Sequence, residues 1–528
     1  MLKPQFILCF CIVLALTAFG PGLDPRSIVA AEQTAPVPEE DVQVLASAPI
    51  HEAFAKAVAL DPEPGIVAPK APPALIEEIP PNQKPEGDVQ WIPGYWAWDD
   101  ERNEYVWVSG IWRVPPPGRQ WVPGYWNLVT QGYQWIPGCW ASIMAKETEY
   151  LPEPPESVEV GPSSNAPSSD YIWIPGCWLW HYGRYAWRAG YWTTGHSDRI
   201  WVPAHYNWSP RGYIFVSGYW DYTVIHRGIL FAPVFFPRMH LGLTFSFSPS
   251  FVIDLNIFDD ALFVRQRYYH YYYGNYYAPW YYKRGIYPWF SLHARRFVYN
   301  PIYAHQRWNH RNDQEWEKNL QKKFRERRKK GALRLPRSFD QRTGHDKGGR
   351  SSGHARPDFV MPLDHAGKTK GIAYRFQALS ERERKEFRQR EKEVRTYQKE
   401  RQSREIKRQN MPAPRALKKP EPDKERLSRS PIMDRSNEKA IRKKAPPWGQ
   451  RLPKPNSNID PLMRQKDLSR SWDKSQKSGD KEQKTKVRGM RSMDKVKKSE
   501  HRDRHLEDRM WKSNGRQQKV GARGRGRF

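Results

Sequence analysis

The sequence predicts a mainly β protein: two four-stranded antiparallel meanders built from 14-residue WxxGxW repeats, followed by charged helices and a disordered basic tail. Three observations carry this. One phrase (Trp, two residues, usually Gly, one residue, Trp) is written eight times between Trp91 and Trp220, with starts spaced 16, 14, 14, 38, 14, 14 and 14 residues apart. Repetition at a fixed period outranks other sequence signals for architecture. Trp is concentrated there too, with 17 of 24 in that stretch. Charge is just as uneven: 21 Lys+Arg stand against 27 Asp+Glu up to Gln306, leaving 66 against 30 beyond it. Only the first half carries enough apolar surface for a sizeable core.

The phrases fix the expected core. They run Trp91–Trp96, Trp107–Trp112, Trp121–Trp126, Trp135–Trp140, Trp173–Trp178, Trp187–Trp192, Trp201–Tyr206 and Phe215–Trp220. Tyr often precedes the first Trp by two, as at Tyr105, Tyr133, Tyr171, Tyr185 and Tyr213, and alternation of strand-forming residues at period two is a strand signal. Pro-Gly inside the phrase removes a ladder donor and permits positive φ, so a kink or bulge is expected there. Fourteen residues hold one strand and a turn, which makes block one (89–140) and block two (171–220) four-stranded meanders with stacked Trp as the core. The phrase resembles the bacterial WxxGxW (YxWGxW) repeat family of exported proteins, and the arrangement looks like large secreted proteins of planctomycete-type bacteria. The seventh copy departs from the pattern at Ala204 and Tyr206, and the eighth at Phe215. The resemblance implies an envelope location and brings no catalytic residues.

The N-terminus reads as an export signal over 1–31: Lys3, an apolar run Phe6–Phe19, and small residues at Val29-Ala30-Ala31, with cleavage after Ala31. An uncleaved anchor is the alternative, but the run is short for a span of about 20 residues. No transmembrane span is expected after signal removal. The mature chain then keeps Cys139 and Cys177, both at the fifth position of a WIPGCW phrase, one on each side of the insertion. In an oxidising compartment they are candidates for a disulfide, with two free buried thiols the alternative.

Residues 32–88 read as a Pro-rich linker with one short helix over 49–60. The insertion 141–170 is Pro/Ser-rich and reads as a mobile loop. Residues 221–305 form a Tyr/Phe-rich β extension with nine Tyr between Tyr268 and Tyr282. There Phe251–Phe258 and Leu262–Tyr268 flank Asp259-Asp260 as a plausible hairpin. A basic helix is expected over 306–332, opened by Asn312 and Glu315 as a capping box. A linker over 333–378 precedes a long charged helix, 379–410, opened by Ser380 and Glu383. Its apolar residues (Phe387, Val394, Tyr397, Ile406) are sparse enough to predict a solvated helix. Residues 411–528 read as a disordered basic tail.

The sequence offers no catalytic, cofactor or metal motif. It has no P-loop, GxGxxG, HExxH or GxSxG, and no CxxC in the mature chain. The acidic run Asp99–Glu104 lacks the Gly and distal Glu of a calcium loop. His270, His293, His305 and His310 lack ligand spacing. The expectation is an exported (periplasmic, surface or extracellular) protein that is not an enzyme and uses no cofactor or specific small molecule. Its aromatic scaffold positions a polycationic tail for anionic envelope or matrix polymers. A carbohydrate-binding module using exposed Trp and Tyr is the alternative, and a nucleic-acid-binding protein follows if the export reading fails.

Overall fold

The structure is a computed structural model that describes residues 42–145, 147–237, 246–266, 268–294, 298–334, 359–366, 374–409, 423–426 and 429–434. The export signal, its cleavage site at Ala31 and most of the tail lie outside the described residues. Among those described, no helix is long and apolar enough to cross a membrane.

The protein is mainly β, and its sheets over the repeats are antiparallel. The repeating unit differs from the expected meander, because the phrases pair two by two. In the first hairpin Gln90–Ile92 pairs with Ile111–Arg113 and Tyr95–Asp99 with Glu104–Val108. Between these two ladders Pro93-Gly94 faces Ser109-Gly110 with no pairing. The same plan recurs in the second hairpin (Arg119–Ser142), the third (Tyr171–Thr194) and the fourth (Arg199–Tyr222). No ladder joins consecutive hairpins. The reason is register: antiparallel pairing of two phrases sets Trp91 opposite Trp112 and Trp96 opposite Trp107, at ring-centroid distances of 5.1 Å in both pairs. Such edge-to-face aromatic pairs contribute about 0.5–1.5 kcal/mol beyond burial.

The phrase glycines serve close approach rather than positive φ, which falls instead on the turn glycines Gly132, Gly183 and Gly212. The first Trp of each phrase lies over the Gly of its partner. A Cβ at Gly138 would sit 2.5 Å from the Trp121 ring, and one at Gly190 2.3 Å from the Trp173 ring. This accounts for the irregular fourth hairpin. Ala204 carries a Cβ where the others have Gly, and the facing phrase opens with Phe215, a smaller ring than Trp. Phe215→Trp alone is therefore expected to destabilise by about 1–3 kcal/mol through overpacking. Adding Ala204→Gly should recover most of that loss, which a double-mutant cycle in urea would show.

Residues 32–88 are more than a linker. From Gln43 onward they add six short strands that pair with distant elements, such as Ala48-Pro49 with Tyr272-Tyr273 and Val67-Ala68 with Gln134-Tyr133. The expected helix over 49–60 is absent. Its residues Ile50–Ala55 are buried on every side, so no solvent-facing stripe exists for an amphipathic helix to present. The main core joins this arm, the first hairpin and the Tyr-rich stretch, with Phe54, Trp107, Phe263, Tyr271, Tyr273 and Trp289 fully buried. The Phe251–Tyr268 hairpin does not form. Residues 255–261 are helical, Leu262–Arg265 pairs with His270–Tyr273, and Phe251–Ile253 pairs with Val360–Pro362.

The basic helix is two helices, Pro301–Asn309 and Trp316–Lys329. Asn300 caps the first by accepting from the Tyr303 amide, and Asn312 caps neither. The long helix Glu381–Gln409 opens on the Ser380–Glu383 capping box. It is not solvated. Phe387 packs edge-on to Trp112 at 5.0 Å, and Glu391, Val394, Tyr397, Arg401 and Glu405 are buried along one face. Sparse apolar residues suffice because the buried charges are used. Arg401 donates to the carbonyls of Pro123 and Pro137 (2.8 and 3.1 Å), which the kinks of the second hairpin leave without ladder partners. Glu405 accepts from the Tyr125 hydroxyl at 2.7 Å and from Arg401 at 3.0 Å.

Two pieces of the expected tail are also built in. Asp423–Arg426 pairs with Glu147–Tyr150, and Ser430 and Ile432 are buried against Gln120 and Trp121. Both pairings rest on contacts remote in sequence, which composition does not register.

Candidate functional site

Interrupting a ladder frees amide donors, and buried donors need acceptors. Glutamates supply them. Glu78, fully buried, accepts from the amides of Gly94 (2.6 Å) and Gly110 (2.8 Å) and from the Trp107 indole (3.0 Å). Glu52 accepts from the Gly138 amide (2.9 Å) and the Trp135 indole (2.7 Å), and its Oε1 lies 2.5 Å from His270 Nε2. Glu159, from the insertion, accepts from the Trp173 indole (3.0 Å) and the Gly176 amide. In each case the first Trp and the Gly of one phrase converge on one carboxylate. Burial alone would raise Glu52, but the neighbouring His270, with help from Lys56 and Trp135, holds it down at about 2. At Glu78 burial outweighs its three N–H donors and pushes the carboxyl up to about 7.

Beside Glu52 lies an open cleft. Its walls are aromatic, with Trp96, Trp126, Tyr206, Trp208 and Tyr269 among them, and its polar groups include Glu52, Lys56, Glu63, His205, Asn207 and His270. Lys56 stands between Glu52 and Cys139, and its ammonium has no hydrogen-bond or ion-pair partner among the described residues. Burial lowers its pKa from 10.5. Burial also lowers His205 to about 4, against a partial opposing effect of the Pro203 carbonyl, so its imidazole is neutral at pH 7. Glu52 and Lys56 fell within the stretch read as a helix. Their signal was two charges set in an otherwise apolar run, PIHEAFAKAVAL.

The two cysteines are not brought together. Cys139 faces Val122 in the second hairpin and Cys177 faces Arg188 in the third, and both are free, buried thiols. Burial raises both thiols above 9. Equivalent positions lie on neighbouring strands only if the phrases form one meander; because each hairpin closes on itself, the expected Cys139–Cys177 disulfide does not form. The repeat aromatics divide by block. Trp91, Trp96, Trp107, Trp112, Trp121, Trp135 and Trp140 are buried, with Trp126 half-buried. Trp173, Trp178, Trp187, Trp192, Trp201, Phe215 and Trp220 are all half-buried, so block two has aromatic edges at the surface. Among the described residues no cluster of three or more His, Cys, Asp or Glu could hold a metal ion.

Closed hairpins of paired phrases, each pinned or packed through its Trp pairs, define an aromatic β-hairpin repeat protein. The family model described as WXXGXW repeat (2 copies) matches residues 90–113, 121–141, 169–193 and 200–221, one match per hairpin. The repeat region belongs to the WXXGXW repeat family. The match covers less than half of the chain and speaks to the repeat, not to a bacterial group. No curated protein and no solved structure matches the chain.

Proposed function

We propose that the protein is an exported, non-enzymatic envelope or matrix protein whose aromatic hairpin scaffold carries a polycationic segment for anionic polymers. The observation behind this reading is the separation of charge along the chain. Charges of the folded region are spent on internal contacts, as at Arg401, Glu405, Glu52 and Glu78, whereas the 84 residues from Ala445 to Phe528 hold 24 Lys+Arg against 10 Asp+Glu. A polycation of this kind gathers polyanions by counterion release, with affinity falling steeply as salt rises.

Truncation should follow Lys444, because Asp423–Arg426 and Ser430–Asp434 belong to the fold. The full chain is expected to be retained on anionic polysaccharide at 50 mM salt and released by 200 mM, with a loss of about tenfold or more. Equal retention of the truncated protein at both salt concentrations would refute the tail as the adhesive part. Fractionation tests export separately: the mature protein should begin at Glu32 outside the cytoplasm, and a full-length cytoplasmic protein would favour the nucleic-acid reading. The aromatic cleft favours the carbohydrate alternative, for which glycans should shift or quench tryptophan fluorescence.

A further inference from the structure

The insertion and the N-terminal arm, 82 residues apart, grip two hairpins at the same Tyr hydroxyl, closing indole and first-phrase Gly amide. Along the first hairpin the Tyr105 hydroxyl donates to the Lys70 carbonyl (2.8 Å), the Trp96 indole to the Ala74 carbonyl (2.9 Å), and the Trp107–Gly110 donors to Glu78. Along the third hairpin the Tyr185 hydroxyl donates to the Pro152 carbonyl (2.6 Å), the Trp178 indole to the Glu156 carbonyl (3.0 Å), and the Trp173–Gly176 donors to Glu159. The hydroxyl and closing-indole donors occupy equivalent places, as do the Gly94 and Gly176 amides at the glutamates, whereas the indole on the glutamate comes from the second phrase in one hairpin (Trp107) and from the first in the other (Trp173). Tyr105 and Tyr185 stand two before the second phrase, and Trp96 and Trp178 close the first. The straps match as well: Lys70-Ala71-Pro72-Pro73-Ala74 lies where Pro152-Glu153-Pro154-Pro155-Glu156 lies, and a glutamate follows the second Pro by five and four residues.

These are the elements of a peptide-recognition surface. Pro-Pro pre-sets an extended backbone at low entropic cost, and Tyr hydroxyl and indole donors read its carbonyls. The glutamate supplies a charge-assisted anchor. The two straps differ in how firmly they are held. The first keeps Lys70, Ala71, Ala74 and Leu75 exposed but buries Ile76 and Glu78. The second keeps Pro152, Glu153, Pro155, Glu156 and Val158 exposed, Val158 at 54%, and buries only Glu159. A further bond, Trp192 to the Ser164 carbonyl at 3.1 Å, is also exposed.

We propose that the third hairpin is a recognition site for acidic proline-rich segments of another polypeptide, carrying Pro-Pro with a glutamate four or five residues further on. The insertion is the built-in occupant of that site and competes with the incoming segment.

The test uses the full chain and a fluorescent peptide of residues 151–164. A Glu159→Ala chain is expected to bind it at least tenfold more tightly than the wild type, because its own strap is weakened. The peptide carrying Glu159→Gln should lose about tenfold or more, and an unlabelled peptide of residues 69–79 should displace the parent. Trp178→Phe in the same weakened chain keeps an aromatic, smaller ring, removes the indole donor and should lower affinity. A composition-matched scrambled peptide that binds equally, or failure of the 69–79 peptide to compete, would overturn the proposal. If the Glu159→Ala chain does not fold, wild-type protein nicked within Gly161–Ser169 serves instead. Added 151–164 peptide should then displace the nicked strap, and a strap unmoved by excess peptide counts against the site.

Discussion

Asp221→Ala is expected to destabilise the protein by about 3–5 kcal/mol, measured as a fall in the urea midpoint followed by tryptophan fluorescence. Asp221, in the last strand of the fourth hairpin, accepts from both arginines: Arg113 Nη2 lies 2.6 and 2.7 Å from its two carboxylate oxygens, and Arg227 Nη2 lies 3.1 Å from Oδ2. The Arg113 side chain is 0% exposed and that of Arg227 3%. Removing the carboxylate leaves two guanidinium groups in the interior without their counter-ion. Arg113 also donates to the Ala53 carbonyl and Arg227 to the Phe54 carbonyl, so the N-terminal arm loses its anchor at the same point. Replacing the network by apolar residues, as in Arg113→Met with Arg227→Leu and Asp221→Leu, should cost less than Asp221→Ala alone, since no charge stays buried. A loss below about 1 kcal/mol for Asp221→Ala would contradict this account.

Glu78→Ala should be nearly as damaging, at about 3–5 kcal/mol, because two glycine amides and an indole lose their acceptor together and each buried unsatisfied donor costs about 1–3 kcal/mol. The same substitution at Glu159 should cost less, about 1–2 kcal/mol, since water reaches the third hairpin. A pH signature accompanies Glu78. Its folded pKa of about 7 lies above the ordinary 4.5, so folding binds a proton between these values. Its contribution to stability is therefore greatest below pH 4.5 and is lost as pH rises towards 7. Urea midpoints should show that component in the wild type and not in Glu78→Ala.

Much of the β architecture was legible. Eight phrases with Trp, Tyr, Val and Ile in alternation specify antiparallel strands, and Ser380 with Glu383 specifies the start of the long helix. The partners of those strands were not legible. A period of 14 is compatible with a meander or with closed hairpins, and the choice rests on Trp–Trp register across the kink. The Cys139–Cys177 pairing failed with the meander that implied it. Glu52 and Glu78 were missed because a carboxylate in a Pro-rich segment looks solvated, and its burial depends on donors in another segment.

The sequence by itself determined the local conformations of the repeats and the start of the long helix: strand, kink and turn in each phrase, and the Ser380–Glu383 cap, follow from side-chain shape, missing donors and capping groups within a few residues. Only the tertiary structure decided where the donors freed at each kink find acceptors. Glu52, Glu78, Glu159 and Arg401 meet the phrases across 14 to 278 residues, in contacts that the phrase periodicity does not encode. The reason is physical: an unsatisfied buried amide is costly wherever its acceptor lies along the chain, so folding recruits the acceptor from whichever segment reaches it.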